Sequence, residues 1–398
     1  MSTPTSFRIQ TLNKISARGL DLFDRETYEI ASELPHADAL LVRSANLHDQ
    51  KFSRSLKAIG RAGAGVNNIP VDKCSDQGIV VFNTPGANAN AVKEIVIAGL
   101  LLSSRNIIGG LNWAKSIIGR GSEVTKLIEA QKSQFAGPEV FGKTLGIIGL
   151  GAIGVMVANA AESLGMKVIG YDPYISVDSA WNLSKHVVRA GGLESMLHNA
   201  DYISLHAPLT DNTRGFINKE KFGMMRKGVR ILNFARGGLV NNEHLIEALN
   251  NGKVSTYVTD FPDEELLKQE KVIGIPHLGA STPESEENCA VMAVKQLIDY
   301  LENGNIINSV NFPTCQMPRN GEVRIVIANK NIPNMVGQIT AILAEQNINI
   351  SNMLNRHRDN VAYNIIDIDG DITDEQLQKL GRINGVIMVR ELAPQVLV

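Results

Sequence analysis

The chain has 398 residues, of which 44% are hydrophobic and 20% charged, and its formal net charge is −2. This length exceeds one ordinary core and predicts two or three domains. The near-neutral charge gives no electrostatic reason to expect nucleic acid or an anionic membrane as a partner. The three cysteines lack C-x-x-C spacing, so neither disulfides nor a metal site is expected. MSTPTSFRIQ lacks an apolar signal core and no run has membrane-span length, so a cytoplasmic location is expected.

The first segment alternates short apolar strands with helical stretches. Strands are predicted at Ala39–Val42 and Ile79–Phe82, and between them Lys57–Ile69 combines a strand-like start with a glycine-rich loop. Alternation of this kind favours right-handed crossovers and a parallel sheet, so a small α/β unit is predicted here. A helical stretch starts at Ala91 and is expected to continue as a long, partly polar helical arm from Trp113 to Gln134.

The most informative stretch is KTLGIIGLGAIG, in which the strand Leu145–Ile148 is followed by glycines spaced G-x-G-x-x-G. Gly149 allows a tight turn, Gly151 lets a pyrophosphate approach the backbone, and Gly154 lets helix and strand pack closely. The N-terminus of the helix that follows would hold the phosphates. Asp172 ends the next strand, 23 positions after Gly149, where it can accept hydrogen bonds from a ribose and repel a 2′-phosphate. The pattern predicts a dinucleotide site that favours NAD.

Further strand and helix pairs continue this unit. Strands are predicted at Tyr202–His206, Val229–Phe234, Val254–Thr259 and Val272–Ile275, with helices such as Asn242–Leu249 between them. The unit is therefore expected to be a doubly wound parallel sheet. In such sheets ligands bind beyond the carboxyl ends of the strands, so the residues that end these strands are the candidates for chemistry.

The C-terminal part reads as a separate unit. A helix over Glu284–Leu301 is followed by a break at Asn311–Gly321 that has the composition of a linker. The remaining residues have the order β-α-β-β-α-β, which is ferredoxin-like. Its predicted elements are Val323–Ala328, Met335–Gln346, Ile350–Arg356, Ala362–Ile368, Asp374–Gly381 and Val386–Glu391.

Four charged or titratable groups at strand ends could carry hydride-transfer chemistry. A base must take the hydroxyl proton, and the imidazole of His277 has a suitable pKa. A carboxylate such as Glu265 beside it would favour its protonated form. Arg236 supplies a planar fork of donors for a substrate carboxylate. Asp260 ends its strand where a nicotinamide amide would lie.

Each of these residues also has an ordinary structural interpretation. His277 follows a proline and is compatible with a structural loop, and Arg236 could cap a helix or form an ion pair. Glu265 lies in the acidic run DEE, which is typical of a solvated surface. His206 ends a strand, where a backbone role beside the adenosine half is favoured over base chemistry.

The motifs GLGAIG, YDP, HAPLT, NFARGG, TDFPDEE and PHLGAST closely resemble those of the D-isomer-specific 2-hydroxyacid dehydrogenases, in the same order. The C-terminal unit is similar to an ACT domain. The resemblance implies Arg236 as substrate clamp, Glu265 as imidazole partner and His277 as acid/base. A one-residue deletion relative to the usual D-V-F-x-x-E pattern would select Glu264 instead of Glu265. The implied reaction is NAD-dependent oxidation of a phosphorylated D-2-hydroxy acid at the start of serine synthesis.

The resemblance also assigns the binding residues. VRSAN and GAGVNN resemble loops that meet the substrate's carboxylate and phosphate, and NTPGANA resembles the crossing between domains. Which first-domain bases hold the phosphate is left open. The implied substrate-binding residues are Arg43, Ser44, Ala45, Arg61, Gly65, Val66 and Asn88. The implied cofactor-binding residues are Gly149, Gly151, Ala152, Ile153, Gly154, Asp172, His206, Ala207, Pro208, Thr213, Asn233, Phe234, Ala235, Asp260, Leu278, Gly279 and Ala280.

An ungapped match to serine-sensing ACT domains places Asn331 and Asn349 at the two asparagine positions of the effector site. Asn329 stands at a frequent histidine position, and Asn334 replaces the expected glycine after Pro333. Serine binding is therefore one interpretation, and asparagines that merely serve turns are the other. The arm and the ACT-like unit both suit subunit contacts, so a homodimer or a homotetramer is expected.

The overall expectation is an α/β protein with a Rossmann-type domain, a flavodoxin-like substrate domain and a ferredoxin-like ACT domain. The alternatives are a hydroxypyruvate or glyoxylate reductase, or an NAD-sensing corepressor without catalysis. The predicted domains are 1–92 (substrate domain), 93–282 (NAD-binding domain), 283–316 (return helix of the substrate domain), 317–322 (linker) and 323–398 (ACT domain).

Overall fold

The computed structural model describes residues 7–319 and 323–392. The chain divides into two compact units: a first unit made of Met1–Asn88 and Pro283–Val398, and a second unit made of Ala89–Thr282. Residues 320–322 of the predicted linker lie outside the described residues. The C-terminal ferredoxin-like elements thus belong to the same compact unit as the N-terminal segment.

The described strands form three sheets. They are β1 Phe7–Leu12, β2 Tyr28–Ala31, β3 Ala39–Val42, β4 Ala58–Arg61, β5 Val80–Phe82, β6 Thr144–Ile148, β7 Lys167–Tyr171, β8 Val188–Arg189, β9 Tyr202–Leu205, β10 Val229–Asn233, β11 Val254–Thr259, β12 Val272–Gly274, β13 Val323–Lys330, β14 Ile350–Arg358, β15 Val361–Ile368 and β16 Val386–Leu392.

The described α-helices connect and cover these sheets. They are α1 Ala17–Leu20, α2 Val71–Asp76, α3 Ala89–Ser104, α4 Ile107–Ser116, α5 Val124–Gln131, α6 Ala152–Ser163, α7 Val177–Trp181, α8 Leu193–Asn199, α9 Lys219–Met224, α10 Asn242–Asn250, α11 Glu264–Leu267, α12 Pro283–Asn303, α13 Met335–Glu345 and α14 Asp374–Gly381.

The N-terminal sheet of the first unit is parallel, with the strand order β2-β1-β3-β4-β5. This is the flavodoxin-like order, whose reversal point lies between β1 and β3. Strands β3 and β5 are buried along their whole length because α12 covers the sheet, where Leu297 lies directly against Gly60. The predicted α/β substrate-type unit is confirmed, with β1 and β2 as additional strands.

The second unit contains a seven-stranded parallel sheet in the order β12-β11-β10-β9-β6-β7-β8. It is a doubly wound Rossmann sheet in which the order reverses between β6 and β9. Helix α6 begins at Ala152, directly after the glycine-rich turn, and buries Val155, Val157 and Ala158 against the sheet. The predicted fold class is confirmed.

The predicted continuous arm from Trp113 to Gln134 is wrong in detail. Helix α4 ends at Ser116, a 3₁₀ turn covers Gly121–Glu123, and α5 ends at Gln131. Gly119 and Gly121 adopt positive φ angles of 95° and 53°, which interrupt a right-handed helix between these segments.

Residues 323–392, here called the C-terminal domain, form an antiparallel sheet in the order β14-β15-β13-β16 with α13 and α14 on one face. The β-α-β-β-α-β prediction is confirmed. Strand β13 is buried on both faces, because Ile325 and Ile327 face the two helices whereas Val326 and Ala328 join the core of the first unit.

The segment expected to be a linker is packed rather than solvated where it is described. Phe312, Cys315 and Met317 are buried, and Cys315 forms an antiparallel bridge with Ile306. Fully buried Arg324 binds Asp367 through two nitrogens, at 2.6 and 2.9 Å, and donates a hydrogen bond to the carbonyl of Met317. The C-terminal domain and the α12 region therefore share one core.

Among the described residues, no single helix combines the length and apolarity that a membrane crossing requires. Helices α3 and α4 meet that criterion only when taken together, and they are bent by 68° relative to each other.

Candidate active site

The turn after β6 has the backbone geometry that a dinucleotide needs. Gly149 has a φ of 92°, and a Cβ there would lie 2.7 Å from the backbone of His206. A Cβ at Gly154 would lie 2.0 Å from the carbonyl oxygen of Gly149, whereas one at Gly151 would meet no described atom within 4 Å. Two glycines thus permit close packing, and Gly151 leaves open space at the N-terminus of α6, where a pyrophosphate would bind.

Asp172 is held rigidly at the end of β7. Its Oδ2 accepts a hydrogen bond from the N–H of Leu150 at 2.8 Å, and its Oδ1 accepts one from the N–H of Tyr174 at 2.8 Å. The carboxylate is therefore tied to the glycine turn, and each oxygen keeps a further acceptor site for a ribose hydroxyl. Ala152 and Ile153 form the first turn of α6 beside it.

The residues after β9 form a tied turn next to the glycine loop. The Thr213 hydroxyl donates to the carbonyl of Pro208 at 2.6 Å and accepts from the N–H of Thr210 at 2.7 Å. His206 contacts Ser204 Oγ through Nε2 at 2.8 Å, and burial lowers the pKa of its imidazole to about 4. His206 is therefore neutral near pH 7, which fits the structural role predicted for it. Ala207 follows it in the same turn.

Asn233 organises the turn that carries Arg236. Its side chain is fully buried at the end of β10, where Oδ1 accepts from the N–H groups of Ala235 and Arg236 and Nδ2 donates to the carbonyl of Arg236. Nδ2 also donates to the Tyr257 hydroxyl at 3.1 Å. Phe234 is buried below this turn, and the Arg236 side chain is exposed above it. The buried amide of Asn233 thus holds the turn that exposes the Arg236 guanidinium at the edge of the sheet.

Asp260 lies at the end of β11 with only 2% of its surface exposed. Its Oδ2 accepts a hydrogen bond from the N–H of Gly279 at 3.3 Å. Its Oδ1 is buried and has no hydrogen-bond partner among the described residues. Burial raises the pKa of this carboxyl, and the positive charges of His277 and Arg236 oppose that shift. A buried acceptor without a partner at this edge fits the N–H donors of a nicotinamide carboxamide, which is predicted to lie there.

His277 follows β12, where it and Leu278 are exposed, whereas Gly279 is buried and Ala280 is half-buried. Its ring centroid lies 4.5 Å from that of Phe261, with the planes inclined by 49°. The structure therefore places Arg236, Asp260 and His277 at the carboxyl edge of one parallel sheet, where His277 and Arg236 oppose the rise in the pKa of Asp260.

The structure does not bring Glu265 to the imidazole. Glu265 lies in the first turn of α11, is 65% exposed, and places Oε1 2.6 Å from Lys268 Nζ. Glu264, the alternative, is 86% exposed and reaches the same ammonium at 3.3 Å. Asp263 caps this short helix through the N–H of Leu266. Both glutamates therefore lie on a solvated acidic run, and His277 acts electrostatically on the Asp260 carboxyl.

The first unit carries the predicted substrate loops at the carboxyl ends of β3 and β4. The N–H groups of Ser44 and Ala45 donate to Asn13 Oδ1 at 3.0 and 2.7 Å, and Arg43 pairs with Glu286 at 2.7 Å. Arg61 ends β4, and its guanidinium lies over Gly63, where a Cβ would be 1.7 Å from Nη1.

The glycine-rich loop after β4 is fixed by backbone acceptors. Asn83 donates to the carbonyl of Ala64 at 2.7 Å, and Asn68 donates to the carbonyl of Ala45 at 2.8 Å. The predicted residues Gly65 and Val66 lie between these two anchors, half-buried. Asn88 is the last residue of the N-terminal segment before α3 begins.

Sequence reasoning missed two residues that position the site. Asn13, with a φ of 72° after β1, holds the β3 loop, and Tyr257 supports Asn233 from within β11. An asparagine directly after an apolar strand was the available signal for Asn13. Nothing in the sequence connects Tyr257 with Asn233, because their contact joins neighbouring strands.

The asparagines of the C-terminal domain occupy different environments. Asn331 donates to the carbonyl of Asp359 at 3.0 Å, and Asn349 donates to Asp369 Oδ2 at 2.5 Å; both residues are exposed. Asn329 is 1% exposed and accepts from Asn364 at 2.8 Å. Asn334 has a φ of 67°, which explains how it can stand where a glycine was expected.

Comparison with known proteins assigns the second unit. Residues 108–279 match the model of the D-isomer specific 2-hydroxyacid dehydrogenase, NAD binding domain. This part of the chain belongs to the D-isomer-specific 2-hydroxyacid dehydrogenases. The predicted cofactor, NAD, is thereby confirmed, and the glycine turn, Asp172 and the orphaned Asp260 oxygen fit it.

Curated dehydrogenases of this family resemble most of the chain. The D-3-phosphoglycerate dehydrogenase of Methanocaldococcus jannaschii is 35% identical over 330 residues, which cover 81% of this chain and 60% of that protein. The enzyme of the same name from Bacillus subtilis is 34% identical, covering 77% of this chain and 59% of its own. The chain thus spans about 60% of the length of these relatives. The predicted resemblance to the 2-hydroxyacid dehydrogenases is confirmed.

Solved structures superpose on about three quarters of this chain. The NAD⁺-bound 3-phosphoglycerate dehydrogenase of Entamoeba histolytica has a TM-score of 0.60 at 27% identity, covering 77% of this chain and 99% of that one. The TT0316 protein of Thermus thermophilus has a TM-score of 0.63 at 26% identity, covering 76% and 100% respectively.

Proposed function

We propose that this chain is an NAD-dependent D-3-phosphoglycerate dehydrogenase, which forms 3-phosphohydroxypyruvate in the first step of the phosphorylated pathway to L-serine. The observation that carries the proposal is the joint presentation of Arg236, Asp260 and His277 at the carboxyl edge of the NAD-binding sheet. The names of the curated relatives support the choice of substrate.

When bound, NAD supplies the acceptor for the hydride that leaves C2 of the substrate. His277 accepts the proton of the C2 hydroxyl at a ring nitrogen, and its exposure leaves that nitrogen accessible. Arg236 holds the substrate carboxylate and the developing carbonyl oxygen through its planar donors. Asp260, rather than Glu265, is the carboxylate whose field stabilises the protonated imidazole.

The substrate phosphate is proposed to meet basic residues of the first unit, with Arg43 and Arg61 as the candidates. Asn13 supports this assignment because it fixes the N–H groups of Ser44 and Ala45 next to Arg43. The proposed domain roles are a substrate domain, which ends near residue 92 and resumes at residue 283, and an NAD-binding domain, which lies between these two positions in the sequence.

A substrate panel tests the proposal. Wild-type protein should reduce 3-phosphohydroxypyruvate with NADH at least 100-fold more efficiently than hydroxypyruvate or glyoxylate. Arg236→Lys should lose most of that efficiency because an ammonium cannot bind a carboxylate in the same bidentate way. Arg226→Lys, in a surface ion pair with Asp201, is the control and should retain activity. A preference for glyoxylate or hydroxypyruvate would identify a different reductase. Binding of NAD without turnover of any of these substrates would favour the NAD-sensing alternative.

We also propose that serine, bound near Asn331 and Asn349, inhibits the enzyme. Both side chains are exposed at turns of the C-terminal domain, where an amino acid can reach their remaining amide groups. An effector shifts an equilibrium only by binding the less active state better. Serine should therefore raise KM or lower kcat in wild-type protein, and Asn331→Ala or Asn349→Ala should abolish this effect without changing uninhibited turnover.

A homodimer or homotetramer in the cytoplasm completes the proposal. Helix α4 and the turn after it expose Ile107, Leu111 and Ile118, and a cluster of this kind is typical of a subunit contact. Strand β14 is an exposed edge of the C-terminal sheet, which could pair with a second copy. Sedimentation at several concentrations tests the assembly, and a monomer at micromolar concentration would contradict it.

A further inference from the structure

A cavity of about 580 Å³ lies within the first unit, between its N-terminal sheet and the C-terminal domain. Its walls come from the loop Phe52–Lys57, the turn Gln77–Ile79, Tyr300 of α12 and the segment Ile387–Arg390 of β16. Half of these residues are apolar, and the volume is that of a small-molecule site. This cavity is remote in sequence from every residue of the proposed serine site.

Arg390 is held at the wall of this cavity in an unusual electrostatic setting. Its guanidinium carbon lies 4.5 Å from the centroid of the Tyr300 ring, and Nη2 donates to the Tyr300 carbonyl at 2.6 Å. Nε and Nη1 are buried and have no hydrogen-bond partner among the described residues. The described chain also gives Arg390 no carboxylate within ion-pair distance. A half-buried cation with two buried, unpartnered donors loses hydration, and an anion close to the guanidinium offsets that loss.

The remaining charges of the cavity have the same sign. Arg54 and Lys57 line it together with Arg390, and no lining residue is acidic. Lys57 is compensated by an ion pair with Asp38, whereas Arg54 is exposed beside the cavity. The hydroxyls of Ser53 and Ser55 lie 2.9 Å apart in the same loop, and that of Ser55 donates to the carbonyl of Ala37, so they bring no charge to this wall. The net field of this wall favours an anion.

Tyr300 adds a second unsatisfied group. The residue is fully buried, and its hydroxyl has no hydrogen-bond partner among the described residues. Burial raises the pKa of this phenol, so it stays protonated and remains a donor. Arg390 and Tyr300, which stack on each other, therefore hold three buried donor groups without a described partner behind one wall of this cavity.

We propose that this cavity binds a small organic anion, a carboxylate or phosphate carried on an apolar body, through Arg390 and Arg54. Phe52, Leu56 and Met388 supply the surface for the apolar body. Because its walls come from β16 and from the N-terminal sheet, a bound anion would bridge the two and stabilise their packing. The inference does not depend on the reaction proposed above.

The test is binding of phenyl phosphate and benzoate to the full chain, measured by calorimetry and by the rise in Tm. Sodium phosphate and sodium chloride at equal ionic strength distinguish an organic anion from inorganic phosphate and from salt. Arg390→Met should weaken binding at least tenfold, and Arg54→Met at least threefold. Arg382→Met removes an exposed arginine of the C-terminal domain that does not line the cavity, so binding should be unchanged.

Any binding that is lost in Arg390→Met takes place in this cavity, because none of the proposed active-site residues lines it. Equal binding by wild type and by both arginine variants would overturn the proposal, as would a Tm that rises no further than it does in chloride. If Arg390→Met fails to fold, as shown by circular dichroism, the exposed Arg54→Met decides alone. A Tm rise with inorganic phosphate equal to that with phenyl phosphate would overturn the role of the apolar wall.

Discussion

The carboxylate of Asp260 accepts a hydrogen bond from the N–H of Gly279 at 3.3 Å, and a Cβ at Gly279 would lie 3.2 Å from the same oxygen. This contact joins the end of β11 to the loop that presents His277. The hydrogen bond occupies Oδ2, whereas Oδ1 is buried and has no hydrogen-bond partner among the described residues.

Asp260→Asn should weaken NAD binding about tenfold while the protein stays folded. Asparagine can still accept from Gly279 through its oxygen, but it then places an amide donor where the carboxylate offered Oδ1. Quenching of intrinsic fluorescence by NADH measures the dissociation constant. Asp211→Asn, at an exposed position, is the control. An unchanged constant for Asp260→Asn would show that Oδ1 does not meet the cofactor.

His277→Gln should lower kcat by roughly 10²- to 10⁴-fold, the range that general acid/base catalysis usually contributes. Binding of NADH should remain within about threefold of wild type, since the substitution leaves the glycine turn and Asp172 unchanged. Steady-state rates with 3-phosphohydroxypyruvate measure the loss, and His198→Gln is the control on the same unit. Retention of more than a tenth of the wild-type kcat would remove His277 from the mechanism.

Glu265→Gln should change kcat by less than about threefold, because the structure pairs this exposed carboxylate with Lys268. A carboxylate beside an imidazole raises the pKa of that imidazole. If Glu265 contacted His277, its loss would move the basic limb of kcat/KM for reduction of 3-phosphohydroxypyruvate, in which the protonated imidazole is the acid, to lower pH. A pH profile from 5 to 9 distinguishes these outcomes, and a shifted limb would support the motif-based assignment over the observed placement.

Asp172→Asn should reduce the preference for NAD over NADP at least tenfold. The substitution removes the charge that repels a 2′-phosphate, while its oxygen can still accept the hydrogen bond from Leu150. The ratio of kcat/KM for the two cofactors is the measurement, and Asp178→Asn at the exposed α7 is the control. The same ratio in wild type and variant would place Asp172 away from the ribose.

Buried His206 should make the protein less stable as the pH falls from about 6.5 to about 4. The pKa of this imidazole is lowered to about 4 in the folded state, so below pH 6.5 the unfolded chain binds a proton that the native chain does not. Stability therefore rises with pH in this window, and the group should account for about 2 kcal/mol between pH 5 and pH 7. Guanidinium unfolding at both pH values measures it. His206→Gln should remove this difference, whereas the exposed His357→Gln should keep it.

The local pattern of apolar, polar and turn residues was sufficient to predict most of the strands and helices. The strands Ala39–Val42 and Val254–Thr259 and the helix Asp374–Gly381 are found with the predicted bounds. Ala39–Val42 is an uninterrupted apolar run, Val254–Thr259 is rich in β-branched residues, and the helix begins with the capping box of Thr373 and Gln376. The arm after α3 was misread because two glycines in a helical composition gave no indication of which φ they adopt.

The sequence by itself determined the cofactor site, because the glycine spacing and Asp172 are close along the chain and act through the backbone they belong to. Only the tertiary structure decided that Glu265 lies in an ion pair with Lys268 rather than with His277. Glu265 and Asp260 are both near it in sequence, but a side chain on a short exposed helix pairs with Lys268, whereas one at a buried strand end cannot turn away. The unpartnered donors of Arg390 likewise result from the packing of β16 against Tyr300. The sequence does not predict them, because burial depends on which residues pack together and not on their order along the chain.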